Sequence, residues 1–226
     1  MDGLTGLVLA TLAFVGGHFL LSSAPLRGPL AVALGELGFA AVYSILAIAA
    51  FSWMLISYGK APHLELWPAP PILRFVPLAA MPLAVLFVIG GYTQRNPTAV
   101  MQPMAAPGRH PAPGIMAITR HPVMWGVALW ALSHIPPNGD AASLILFGGL
   151  AILALGGTVA IDAKRRARDP AAFARLEAVT SNLPFAAIRA GRTRLARIEP
   201  WRLILAAAAY FALLAAHPWI AGLPAM

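Results

Sequence analysis

The chain contains no cysteine. That absence excludes disulfides, thiolate nucleophiles, cysteine-held zinc and iron–sulfur clusters. Charge is scarce as well: 11% of the 226 residues are Asp, Glu, Lys or Arg, against roughly 25% in an ordinary soluble domain. So few ionic side chains cannot clothe a solvated surface of this size. With 59% hydrophobic residues and a mean hydropathy of +0.75, the chain is not an ordinary soluble globular protein. Acids are scarcest of all, and the formal charge is +8 with a pI of about 11.1. The basic residues lie between apolar runs rather than on a polar domain, so the excess does not mark a nucleic-acid surface. The composition points to an all-α, polytopic transmembrane bundle. Apolar runs of about 20 residues must close their own backbone hydrogen bonds in lipid, and the alternation of a barrel is absent. Polar chemistry is left to His, Arg, Trp, Ser and a few acids.

Six spans are expected, over residues 3–24, 30–57, 72–91, 114–135, 141–161 and 198–219. The second is long enough to tilt or to begin as an interfacial turn near Glu36. Pro25, Gly28 and Pro29 close the first, and Pro136, Pro137, Asn138 and Gly139 close the fourth. No repeat of fixed period is present, so residues 1–226 read as one transmembrane domain. Within it, residues 162–197 form a loop carrying Lys164, Arg165, Arg166, Arg168, Arg175, Arg189, Arg192, Arg194 and Arg197. The positive-inside rule makes that loop cytoplasmic and puts both termini on the far side. Ser22, Ser23 and Ala24 resemble a signal-peptide cleavage site, but the leading residues are acidic rather than basic, so the first span is expected to be retained. In the basic loop Ala171, Phe173, Ala174, Leu176 and Val179 alternate with polar residues as in a short amphipathic helix lying on the cytoplasmic leaflet. The lipid bilayer is therefore the first expected partner, and nucleic acid is not one.

Ionisable residues inside a span are costly, which makes each intramembrane histidine a functional candidate. His18 lies about six residues, roughly 9 Å, from the cytoplasmic end of the first span. His121 lies about seven residues, roughly 10 Å, from the same face of the fourth. Two histidines at matching depth on different helices are what bis-imidazole ligation of a haem requires; a pair of neutral, satisfied bundle histidines fits the same pattern. His134 and His217 form a second pair near the outer interface, where capping or headgroup contact is the plainer role. His63 and His110 fall in proline-rich loops and are expected to be solvated. Pro122 removes a backbone donor and frees the carbonyl of Ile118. Arg120 beside it is placed either to hydrogen-bond a propionate or phosphate or to snorkel to the interface.

The stretch from Gly114 through Thr119, Arg120, His121, Pro122 and Trp125 to Gly126, with the later run from Thr180 to Ile188, resembles the NnrU family and its plant relatives, the zeta-carotene isomerases. Gly17 to Ser23, Ala131 to His134 and Ala216 to Pro218 extend the resemblance over almost the whole chain. It implies a multi-span bacterial inner-membrane protein that supports denitrification, in nitrite and nitric oxide reduction. The isomerase branch implies instead a haem b held by histidines and acting on a cis double bond of a carotenoid. Matching motifs make His18 and His121 the implied axial ligands and metal-binding residues. Arg120, His134 and His217 stay open for a further cofactor role or an alternative pairing. The second and fifth spans carry no histidine. An apolar polyene or a respiratory partner protein is the implied partner. Arg120, His121, Pro122 and Gly126 also resemble membrane methyltransferases that use S-adenosylmethionine, with Asp169 to Phe173 standing where those enzymes have an acidic pair before an aromatic residue.

Overall fold

The computed structural model describes residues 3–98, 114–195 and 197–222. His110 and Arg109 lie outside them. Among the described residues eight α-helices follow one another: α1 (Gly3–Ser22), α2 (Ala24–Lys60), α3 (Phe75–Thr93), α4 (Pro122–Asn138), α5 (Ala141–Arg168), α6 (Pro170–Val179), α7 (Ala186–Arg189) and α8 (Pro200–Ala221). Among the described residues there is no strand, only an isolated bridge between Glu65 and Asp140. α1, α2, α5, α8 and a segment from Pro71 to Thr93 are long and apolar enough to cross a membrane. The class is the all-α membrane bundle that hydropathy predicts.

The element ends depart from the hydropathy reading for identifiable reasons. α2 begins at Ala24 and bends at Gly35, whose φ of 74° and ψ of 160° suit only glycine. This is the turn expected near Glu36, and Arg27 reaches back across the bend to pair with Glu36 at 2.7 Å. α4 runs through Pro136 and Pro137 to Asn138 and stops where Gly139 takes φ 68°. At its other end the expected span from residue 114 is helical only from Pro122. A proline suits the first helical position, where its missing N–H costs nothing, and disfavours helix in the residue before it. Residues 114–117 form a 3₁₀ turn and 118–121 are irregular. His121 therefore stands at the start of α4, not two turns inside it, and the depth match with His18 loses its basis. α5 continues past Ile161 to Arg168, because nothing in its charged last turns breaks a helix before Pro170.

Chain contacts divide the molecule into two units, residues Met1–Pro71 with His134–Leu153, and Ile72–Ser133 with Ala154–Met226. In the first, α1 packs along α2, burying Leu7, Ala10 and Met54. Asp140 caps α5 by accepting from the Ser143 N–H at 3.0 Å, and Trp67 Nε1 donates to the Pro136 carbonyl at 3.1 Å. In the second, α3 packs on α8. Arg202 of α8 covers the end of α3, its Nη2 donating to the Thr93 carbonyl at 3.0 Å. Phe87, Ile115 and Ile118 form an apolar centre beside them.

α6 is the amphipathic helix expected in the basic loop, with one difference. Its apolar residues Ala172, Phe173 and Leu176 are buried in protein, with Leu176 against Met116, so that face is not available to the bilayer. Asp169 caps it by accepting from the Ala172 N–H at 2.9 Å. Replacing Asp169 by alanine is expected to cost about 1 kcal/mol, read as a lower melting temperature of the detergent-solubilised protein.

Candidate functional site

The irregular residues between the 3₁₀ turn and α4 are buried: Thr119, Arg120 and His121 are 0, 6 and 1% exposed. Non-helical backbone at such depth needs a partner for every polar group. The run from Thr180 to Phe185 supplies them. Arg120 donates its backbone N–H to the Ser181 carbonyl at 2.9 Å, and Phe185 donates its own to the Ile118 carbonyl at 2.8 Å. That is the carbonyl Pro122 leaves free. The Thr119 hydroxyl donates to the Asn182 carbonyl at 2.6 Å and accepts from the His121 N–H at 3.2 Å. On the other flank the Thr98 hydroxyl lies 2.5 Å from the Arg120 carbonyl. The two stretches that carry the family resemblance are thus one interlocked structure.

Its centre is an ion cluster. Asp162 of α5 accepts from Arg120 Nε at 3.0 and 2.9 Å and from Nη2 at 2.5 Å. His121 Nε2 lies 2.7 Å from Asp162 Oδ1. The side chains of Arg120, His121 and Asp162 are 7, 0 and 9% exposed. α6 closes the cluster over: Glu177 stands 3.6 Å from Arg120, and the guanidiniums of Arg120 and Arg166 lie over the Phe173 ring at 5.6 and 4.8 Å from its centre. One helical turn away a second polar rung joins the same helices. Trp125 Nε1 donates to Asn182 Oδ1 at 3.2 Å, and Asn182 Nδ2 donates to the Thr158 hydroxyl at 2.8 Å. His121, just before α4 and bonded through its carbonyl to the Trp125 N–H, and Trp125 are four residues apart, as are Thr158 and Asp162 on α5, which share a helix face.

Sequence reasoning found Arg120 and His121 but not Asp162 or Asn182. The signal for Asp162 was available as the acid four residues beyond Thr158, had the fifth span been carried past Ile161. Arg120 neither snorkels nor stays free for an anion, since its guanidinium is taken by Asp162. In the stretch that matches the methyltransferase pattern, alanines stand where the acids would be, and its Asp169 is held as the cap of α6.

The remaining histidines differ in state. On α1, His18 donates Nδ1–H to the Phe14 carbonyl at 2.9 Å, and Nε2 has no hydrogen-bond partner among the described residues. That is how a ligating histidine is usually held. Its ring meets Phe14 edge-on at 4.5 Å and Tyr43 at 5.4 Å. His134 stacks on Phe147 at 5.3 Å and, like His217 on α8, is half-buried; His63 is exposed. A haem axial ligand needs an open imidazole nitrogen. His18 offers one. His121 does not as it stands, since Nε2 faces Asp162 and its other nitrogen, Nδ1, is buried with no partner among the described residues. Among the described residues no three His, Asp or Glu side chains form a metal-binding group.

A stretch of 82 residues is 40% identical to the 15-cis-zeta-carotene isomerase, chloroplastic, of Zea mays. The match covers 36% of this chain and 22% of that protein. No solved structure matches the chain. The family model described as NnrU protein matches residues 6–225, and with nearly the whole sequence inside it the chain belongs to the NnrU family.

Proposed function

We propose that this chain is a membrane isomerase acting on cis double bonds of a long apolar polyene, with His18 as the residue that presents its reactive centre. The observation that carries the reading is the 40% identity over 82 residues with an isomerase of 15-cis-zeta-carotene. The state of His18 supports it, and so do the rings around it. Phe51, Phe14, His18, Tyr43 and Phe39 continue one another along α1 and α2 at centroid spacings of 5.1, 4.5, 5.4 and 6.0 Å. Rotation about a double bond adds and removes no atoms. Such a reaction needs no leaving-group acid and no water, and an aromatic, apolar wall suits a substrate without a polar handle. A haem b held by His18 Nε2 would supply an iron centre able to draw on the π electrons of the double bond. Phe14 orients the ligand through its carbonyl. The Arg120–Asp162–His121 cluster sets the first turn of α4 against α5 and takes no step itself.

The test is expression in cells that accumulate a cis-carotenoid, with dithionite-reduced and oxidised spectra of the purified protein. The expected result is a fall in the cis-to-trans ratio and a Soret band, both lost in His18→Ala, with the band kept in His121→Ala. An unchanged ratio with the protein present in the membrane sinks the isomerase, and a band untouched by His18→Ala sinks the ligand. The second reading, support of nitrite and nitric oxide reduction, rests on the family resemblance. Slowed nitrite consumption in a deletion strain with unaltered carotenoids would favour it.

A further inference from the structure

Among the described residues, several arginines of the second unit are held by protein groups, whereas three in the run from Leu183 to Trp201 are not. Arg120, Arg166, Arg192 and Arg202 are bonded to carboxylates or to backbone carbonyls. Arg189, Arg194 and Arg197 are exposed, and no carboxylate or carbonyl among the described residues partners their side chains. The one acid near them in the chain, Glu199, is bonded to Arg202. Interleaved with these three are large apolar side chains turned outward: Leu183, Phe185, Leu195 and Trp201 are 61, 42, 61 and 48% exposed. Phe185 is also held at φ 64°, a left-handed conformation that a bulky residue adopts only under constraint. Its N–H bonded to Ile118 and its carbonyl accepting from Arg189 at 2.9 Å supply that constraint. The strained residue is one whose ring the fold leaves outside.

From this combination we propose that residues 183–195 and 197–201 dock on anionic phospholipid headgroups. Arg189, Arg194 and Arg197 meet the phosphates, while Leu183, Phe185 and Trp201 enter the acyl boundary. Position supports the occupant. The segment lies between α5 and α8, both apolar enough to cross a membrane, and Arg197 precedes the first residue of α8 by three. An acidic protein or a nucleic acid would meet the arginines but leave the apolar side chains wet. A phospholipid satisfies both, since cationic side chains near an anionic leaflet and tryptophan at the headgroup level are each favoured. The inference is independent of the isomerase reading and of any cofactor.

The experiment uses the full chain in an uncharged detergent. Energy transfer from its tryptophans is measured to a dansyl-labelled phosphatidylglycerol and to the same label on phosphatidylcholine. Preference for phosphatidylglycerol is expected to fall about a hundredfold in the Arg189→Gln, Arg194→Gln, Arg197→Gln triple variant, at roughly fivefold per arginine. The corresponding triple lysine variant should keep most of it, because the interaction is one of charge. Because these side chains have no partner among the described residues, the helical circular dichroism of both variants should match the parent. Equal affinity for the two lipids, a glutamine variant that keeps the preference, or a lysine variant that loses it with normal helicity would each overturn the proposal.

Discussion

Asp162→Ala is expected to destabilise the detergent-solubilised protein by about 3–5 kcal/mol, the cost of stranding a buried charge by removing its partner. The substitution leaves the Arg120 guanidinium, 7% exposed, with only Glu177 at 3.6 Å as a counter-charge among the described residues, and it strips His121 Nε2 of its acceptor. His121→Ala should cost less. Asp162 would still accept three hydrogen bonds from Arg120, so no charge is abandoned. Removing both charges at once, as Arg120→Met with Asp162→Leu, should recover much of the loss, because apolar pairs of similar volume often replace buried ion pairs at little cost. Unfolding followed by tryptophan fluorescence gives all three values, and the single variants Arg120→Met and Asp162→Leu complete the cycle that isolates the coupling between the two side chains. A loss below about 1 kcal/mol for Asp162→Ala would place the pair in the class of exposed, screened ion pairs. The sealed cluster would then be wrong.

That cluster shows where hydropathy stops being informative. The apolar runs were long enough to reveal α1, α2, α3, α5 and α8, and Glu36 marked the bend at Gly35. Apolarity cannot say where a helix ends when charged residues continue it. α5 keeps its hydrogen bonds through Asp162 to Arg168 because no proline or glycine interrupts it, so Asp162 was assigned to a loop and its pairing with Arg120 was not legible. The reverse error occurred at the fourth span. Residues 114–121 are apolar enough to read as helix, yet Pro122 starts the helix anew. The segment before it survives in a buried, irregular form only because residues 180–185, some sixty positions later, satisfy its backbone. Local sequence contained one half of that arrangement, the carbonyl of Ile118 freed by proline. Its partner, the N–H of Phe185, is a tertiary fact. The site histidines divide in the same way: the bond from His18 to Phe14 is an i to i−4 contact that helix geometry alone makes available, whereas the occupation of His121 depends on a helix distant in sequence.

Gly126→Ala tests how rigidly α4 is held beside that cluster. A methyl at Gly126 would stand 2.7 Å from the Ala84 carbonyl and 2.7 Å from Val88 Cγ2 on α3. Real Cβ contacts do not come so close, and one of the two obstacles is backbone, which cannot rotate away. Across the same contact, a methyl at Gly91 would meet Val123 Cγ2 at 2.5 Å, so the two helices interlock through glycine from both sides. To admit the methyl, α4 must move off α3, and its first turn carries Pro122 and Trp125 with it. The expected cost is about 1–3 kcal/mol, in spite of the gain of about 1 kcal/mol that alanine brings to a helix interior. Gly148→Ala in α5 isolates that gain, because nothing lies within 4 Å of its added methyl; it should raise stability by roughly 0.5–1 kcal/mol. The same substitution at two helical glycines is thus expected to act with opposite signs, read as opposite shifts in melting temperature. Two upward shifts would mean that α4 yields to α3 without loss, and the close contact would not be what holds the first turn of α4 in place.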